Sequence, residues 1–174
     1  MTRSRLIGLL VAVFVFAIDQ AAKYYVTGPL GLDATGAGPL RVLPIFDLRY
    51  VENVGVSLGL LAADSATMRW ALVGLTGAIA LGVLVWMLRE KDRVDLIALG
   101  LVLGGALGNI LDRVRLGYVV DFADLHFGGW HPFLVFNVAD SAITIGVLIL
   151  LIRALLVRDK PRARRTQMEK NVNA

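Results

Sequence analysis

Two aspartates, Asp121 and Asp140, carry the strongest chemical signal in the chain. Neither has a basic residue at helical spacing, and Asp140 lies inside an otherwise uncharged apolar run. Two carboxylates that face each other in a partly dry site cannot both ionise easily, so one keeps a proton that the pair shares. Such a pair can hydrolyse a peptide bond. The ionised member takes a proton from water as the water attacks the carbonyl carbon, and the protonated member hydrogen-bonds the carbonyl oxygen before the leaving nitrogen is protonated. Other chemistries have less support. With no cysteine there is no thiol nucleophile, thiolate metal site or disulfide. The two histidines, His126 and His131, fall in a glycine-rich stretch without further ligands, so no metal is expected and both read as surface residues.

More polar groups recur near the same level. Asp19 and Lys23 are four residues apart, Asn109 is three and four from Asp112 and Arg113, and Asn137 is three from Asp140, so each set shares a helix face. Asp19 with Lys23 reads as an i to i+4 ion pair and Asp112 with Arg113 as a helix-end pairing. Asn53, Asn109 and Asn137 suit interhelical hydrogen bonds or the binding of a peptide backbone.

The elements that must position these groups are membrane helices. The chain of 174 residues is 57% hydrophobic and only 18% charged, with a mean hydropathy of +0.69. So little charge cannot cover a water-facing surface, which excludes an ordinary soluble domain. The net charge of +4 is spread along the edges of apolar stretches, which favours a membrane surface over nucleic acid. A crossing helix needs about 20 apolar residues. Four stretches fit, at about 6–26, 70–88, 95–111 and 132–152, within a membrane unit of 1–157. Gly74, Ala78 and Gly82 on the second and Gly100, Gly104 and Gly108 on the third recur every four residues, a spacing that lets helix backbones approach closely. The expected fold is an all-α membrane protein with four helices in a compact bundle.

Lysine and arginine mark the cytoplasmic side. Arg3 and Arg5, then Arg89, Lys91 and Arg93, then the basic tail of 158–174 lie on one side of a four-span chain. Both termini are therefore expected in the cytoplasm and segments 27–69 and 112–131 outside. A cleaved leader is disfavoured because Asp19-Gln20-Ala21-Ala22-Lys23 offers no small-x-small site. In the first outer segment Phe46, Leu48 and Tyr50 alternate with Asp47 and Arg49, the period of a strand ending near Asn53 and Gly55. Tyr118 to Phe122 repeats the theme, so a small extracytoplasmic β-sheet is expected, with a short interfacial helix over 56–63. This topology puts Asp19, Lys23, Asn109, Asp112, Arg113, Asn137 and Asp140 in the outer half of the membrane, and Asp121 can fold back to that height. An ionisable group in hydrocarbon costs roughly 2.5 kcal/mol or more on insertion scales, so each is a functional hypothesis.

In these residues the chain resembles the lipoprotein signal peptidases, or signal peptidase II family, of the bacterial inner membrane. The matching blocks are Asp19-Gln20 with Lys23, Asn53-x-Gly55, Gly104 to Asn109 with Asp112-Arg113, Val120-Asp121-Phe122, and Phe136-Asn137-x-Ala139-Asp140-Ser141. The resemblance implies cleavage of prolipoproteins just before a cysteine that carries diacylglycerol, with Asp121 and Asp140 as the catalytic dyad. It also implies that Asn109, Arg113 and Asn137 position substrate or brace the site, with Asp19, Lys23, Asn53, Gly55 and Asp112 in support. No metal or organic cofactor is implied. The implied partners are the diacylglyceryl prolipoprotein, membrane lipid and inhibitors of the globomycin type. One departure is that Val56-Ser57-Leu58-Gly59 follows Gly55, where the family has small residues and an aromatic. A proton- or ion-coupled transporter and a non-catalytic scaffold are the competing readings. A transporter needs polar groups reaching both sides, and the cytoplasmic half of this bundle offers almost none.

Overall fold

The computed structural model describes residues 3–34, 38–55 and 65–157. Four helices, α1 (Arg3–Thr27), α2 (Ser65–Arg89), α3 (Arg93–Arg115) and α4 (Val138–Val157), alternate with three strands, β1 (Leu40–Leu43), β2 (Phe46–Asn53) and β3 (Val119–Leu125). All four helices are long and apolar enough to cross a membrane. The expected interfacial helix at 56–63 and the basic tail at 158–174 lie outside the described residues.

Helix α3 is the centre of the bundle, and its glycines explain why. A Cβ at Gly100 would meet the Gly8 carbonyl oxygen at 2.5 Å, one at Gly104 the Ala12 carbonyl at 2.5 Å, and one at Gly105 the Ala139 carbonyl at 2.5 Å. Backbones of α1 and α4 thus lie directly on α3, which is the close approach that small residues permit in lipid. The matching stripe on α2 behaves differently. Nothing stands within 4 Å of a Cβ built at Gly74 or Gly82. Instead α2 packs through Ala80, Val83, Leu84 and Met87, which join Leu96, Leu99 and Leu103 of α3. Spacing alone does not say which face of a helix meets its neighbour.

Gly105→Ala is expected to cost about 1–3 kcal/mol, because a packed core does not yield space for an extra carbon. The added methyl presses on the first turn of α4, which carries Asp140. A thermal-unfolding series in detergent, compared with Gly74→Ala, checks this; the α2 variant should match the wild type.

The polar end of the bundle opposite the sheet is tied by charge. Asp92 caps α3 by accepting from the Val94 and Asp95 amides at 2.9 and 3.3 Å. Arg153 of α4 then pairs with Asp92 at 2.9 Å and Asp95 at 2.5 Å.

At the other end, β1, β2 and β3 form an antiparallel sheet in that order. Phe46, Leu48 and Tyr50 pack with Phe122 and Ala123 onto Val26 and Leu32 at the end of α1. The fourth helix begins at Val138, six residues later than its expected start at Pro132. Phe136, two residues before it, is held in a bridge to β3. The Phe136 amide donates to the Ala123 carbonyl at 3.0 Å and the Ala123 amide to the Phe136 carbonyl at 2.7 Å. An apolar run such as Phe133 to Phe136 satisfies a hydropathy window in a helix or outside one, and the free hydrogen-bonding groups of β3 decide for the bridge at Phe136. The third helix also runs further than expected, to Arg115, so that Asp112 and Arg113 are helical.

Candidate active site

Asp121 comes from β3 and Asp140 from the first turn of α4. The Phe136 pairing with Ala123 holds the start of α4 against β3 and so brings the two carboxylates to one place. Asn137 joins them. Its side-chain Nδ2 donates to Asp121 Oδ1 at 2.6 Å, while its Oδ1 accepts from the Asp140 amide at 2.8 Å. Asp121 Oδ2 accepts from Asn53 Nδ2 at 2.9 Å, and Asp140 Oδ1 from Asn109 Nδ2 at 2.8 Å.

Each of the three asparagines has its amide fixed by a second bond. Asn53 Oδ1 accepts from the Gly55 amide at 2.8 Å, so its nitrogen must face Asp121. Gly55 has φ +85°, which glycine alone adopts without strain, and any side chain there would run into Leu72. Asn109 Oδ1 accepts from Lys23 Nζ and from Asn137 Nδ2, both at 3.2 Å, so its nitrogen must face Asp140. Three of the expected residues therefore point donors at the carboxylate pair, and Asn–Gly geometry orders one of them.

Lys23 is deeper and busier than a helix-surface ion pair. It pairs with Asp19 at 2.8 Å and with Asp112 at 2.7 Å, all three side chains being buried. Asp19 also accepts from the Ala139 amide at 2.9 Å, satisfying one of the free N–H groups at the start of α4. Asp112 accepts from the Val120 amide at 3.2 Å, just before Asp121. Thus the triad ties α1 and α3 to both segments that carry the paired aspartates. The expected pairing of Asp112 with Arg113 does not form: Asp112 turns to Lys23. Arg113 is half-buried, within electrostatic reach of Asp140, Asp121 and Asp112, and its Nε has no hydrogen-bond partner among the described residues. Gln20, which the sequence offered only beside Asp19, donates to Asp112 Oδ1 at 3.0 Å and to Asp19 Oδ2 at 3.2 Å.

Burial of Asp121 is nearly complete. Loss of hydration is the largest influence on its acidity and raises its pKa to about 6, with the charge of Asp140 adding in the same direction and the Asn53 and Asn137 donors opposing.

The histidines correct the sequence reading in part. His131 is exposed, but His126 is buried. The His126 amide donates to the Ile45 carbonyl at 3.0 Å, which continues the β3 pairing beyond the strand and turns the side chain toward Asp47, with Nε2 at 3.3 Å. His131 Nδ1 lies 2.9 Å from Asp124, which also has Arg49 at 3.4 Å. Among the described residues no three His, Cys, Asp or Glu side chains are placed to hold a metal ion. Gly55-Val56-Ser57-Leu58-Gly59 also spells Gly-x-Ser-x-Gly, the pattern of a serine nucleophile; Ser57 lies outside the described residues.

A multi-pass membrane protein with paired, hydrogen-bonded carboxylates at one end of its bundle has the layout of an intramembrane hydrolase. The sequence pattern of the signal peptidase (SPase) II family matches residues 11–156, and the chain belongs to that family. It is 57% identical to the lipoprotein signal peptidase of Rhizorhabdus wittichii over 155 residues, covering 89% of each chain. With the lipoprotein signal peptidase of Sphingopyxis alaskensis it shares 53% identity, over 88% of this chain and 87% of that one. Two solved structures described as bacterial membrane enzymes superpose with TM-scores of 0.74 and 0.72 at 29% and 30% identity, covering 90% and 88% of this chain and 92% and 94% of theirs.

Proposed function

We propose that this protein removes the signal peptide from diacylglyceryl-modified prolipoproteins, cutting before the lipidated cysteine, with Asp121 and Asp140 as the catalytic pair. Family membership supports the lipoprotein substrate. The observation that carries the chemistry is the convergence of Asn53, Asn109 and Asn137 on these two carboxylates. The sheet end of the bundle faces the outside in this reading, and the arginine and lysine distribution supports it.

Asp140 acts as the base. Its carboxylate takes a proton from the attacking water, while protonated Asp121 donates to the oxygen of the scissile carbonyl as that oxygen gains charge. Collapse of the tetrahedral intermediate breaks the C–N bond, and the proton held by Asp140 passes to the leaving nitrogen. Arg113 contributes a fixed positive charge beside the developing anion. The globomycin class of inhibitor would compete for the same cleft. The test is a gel-shift assay of purified protein with a diacylglyceryl prolipoprotein and with the same precursor lacking lipid. Cleavage of the lipidated form alone supports the proposal; equal cleavage of both refutes the substrate assignment.

A pH dependence follows from the raised pKa of Asp121, about 6. Catalysis needs Asp121 protonated, so kcat/KM should fall as pH rises through about 6, by up to tenfold per unit. Bound substrate excludes more water and disfavours the charged form further, so the limb in kcat should lie at higher pH than that in kcat/KM. Steady-state rates between pH 5 and 8 check both limbs, pH values chosen to bracket roughly that pKa.

A further inference from the structure

Two cavities flank the aspartate pair, and their linings differ. One, of about 380 Å³, starts at Asp140 and runs along the outer face of α4 past Ser141, Thr144 and Ile145, walled by Phe133, Leu134 and Phe136. Apart from Asp140 and the hydroxyls of Ser141 and Thr144, its walls are apolar. The other, of about 260 Å³, lies against Asp121 and the end of β2 from Val51 to Gly55, and much of its lining is polar. Leu134 lines both. It is 81% exposed beside the buried Asp121 and the half-buried Asp140.

We infer that the groove on the Asp140 side takes an acyl chain of the substrate's diacylglyceryl group, and that Leu134 is the partition that keeps lipid apart from the peptide backbone in the Asp121 cleft. This rests on the proposed substrate. Asp140 lines the groove, so a group attached within a few bonds of a peptide held at the dyad can reach it. It opens along a helix that crosses the membrane, so the occupant is apolar and reaches it from the bilayer. A signal-peptide helix is 10–12 Å wide and would exhaust such a volume in about one turn. An extended acyl chain is narrow and can follow the groove from Phe136 to Ile145. The polar cleft suits the other half of the substrate, because a peptide in extended form needs hydrogen-bonding partners that an acyl chain does not. The arrangement makes chain length a determinant of specificity, set by residues that take no part in proton transfer.

Thr144 and Ile145 are exposed on the groove wall, so tryptophan there fills the groove without entering the helix interface. The experiment compares kcat/KM of the full-length wild type, Thr144→Trp, Ile145→Trp and the lipid-facing α2 control Leu81→Trp on dipalmitoyl and dibutyryl forms of one prolipoprotein. The palmitoyl-to-butyryl ratio is expected to fall at least about tenfold in the two groove variants, through KM, and to stay at the wild-type value in Leu81→Trp. An unchanged ratio in either groove variant that unfolds at the wild-type temperature overturns the inference, as does an equal loss on both substrates, which would place peptide in the groove. Wild-type enzyme that cleaves neither substrate would instead overturn the proposed function itself. A second measurement does not depend on the tryptophan variants: a palmitoyl chain bearing a diazirine in the half nearer its ester, photolysed on Asp121→Asn enzyme, should label residues between Phe133 and Ile145. Labelling confined to the groove between α1 and α3, around Phe16 and Leu107, would contradict the assignment.

Discussion

Asp140→Asn and Asp121→Asn are each expected to lower turnover of a lipidated precursor by more than about a hundredfold, the usual scale for loss of a positioned acid or base. Asparagine keeps the shape of the side chain and removes the ability to take or hold the proton. Retention of activity to within about tenfold, some 1.4 kcal/mol in barrier, would remove that residue from the reaction. The fold should survive. For Asp121 the sign of the stability effect is determined by its pKa, raised to about 6 from the ordinary aspartate value of 3.8. The folded protein then binds a proton more tightly than the unfolded chain, so this group's contribution to stability is lost as pH rises through that window. Asp121→Asn removes the ionising group, so its unfolding should depend less on pH than that of the wild type, with a constant cost from the amide nitrogen that faces the Asn53 or Asn137 donor. Thermal unfolding at pH 5 and 7.5, beside the cleavage assay, reads both effects. Ser57→Ala is the control for the serine pattern at 55–59 and is expected to keep turnover within about tenfold of the wild type.

Lys23→Met is expected to be the most damaging change to stability, about 3–5 kcal/mol, because it strips the cation from two buried carboxylates and leaves them facing each other. Asp19 and Asp112 sit at 2.8 and 2.7 Å from the ammonium and are both buried. The loss reaches the candidate site by two routes. Asn109 Oδ1 keeps only the Asn137 donor, so its amide is free to turn and present oxygen to Asp140. The bonds from Asp19 to Ala139 and from Asp112 to Val120, which hold the segments bearing Asp140 and Asp121, also lose their shared anchor. Activity measured well below the unfolding temperature should therefore fall as well. A Lys23→Met protein as stable as the wild type would show that the triad is dispensable.

Much of this was legible because polar residues in apolar stretches are costly and hence conspicuous. Asp19, Lys23, Asn109, Asn137 and Asp140 stand out for that reason, and helical spacing groups Asp19 with Lys23; Asn137, expected on a helix face with Asp140, instead precedes α4 and accepts from the Asp140 amide. The period of two at Phe46 to Tyr50 likewise exposed a strand. Other features depend on relations between segments that no local pattern contains. Pro132 to Phe136 is as apolar as a helix yet stays outside α4, with Phe136 taking the hydrogen bonds that β3 offers. The small residues of α2 match those of α3 in spacing, yet only the α3 set is packed against backbone. His126 looked like a loop residue; its burial follows from the register of β3 against β2, which carries it to Asp47. Gln20 was hidden for a related reason, since its partner Asp112 is 92 residues away.

If Asp121 and Asp140 act as one catalytic unit, as proposed, a double-mutant cycle on turnover reads it directly. Wild type, Asp121→Asn, Asp140→Asn and the double variant would be assayed on the lipidated precursor with enzyme in excess and long reaction times. Residues that share one proton-transfer task are strongly non-additive. The double variant is expected to be no slower than the slower single variant, within about tenfold. Full additivity, with the two losses multiplying in the double variant, would contradict it and assign the aspartates to separate roles.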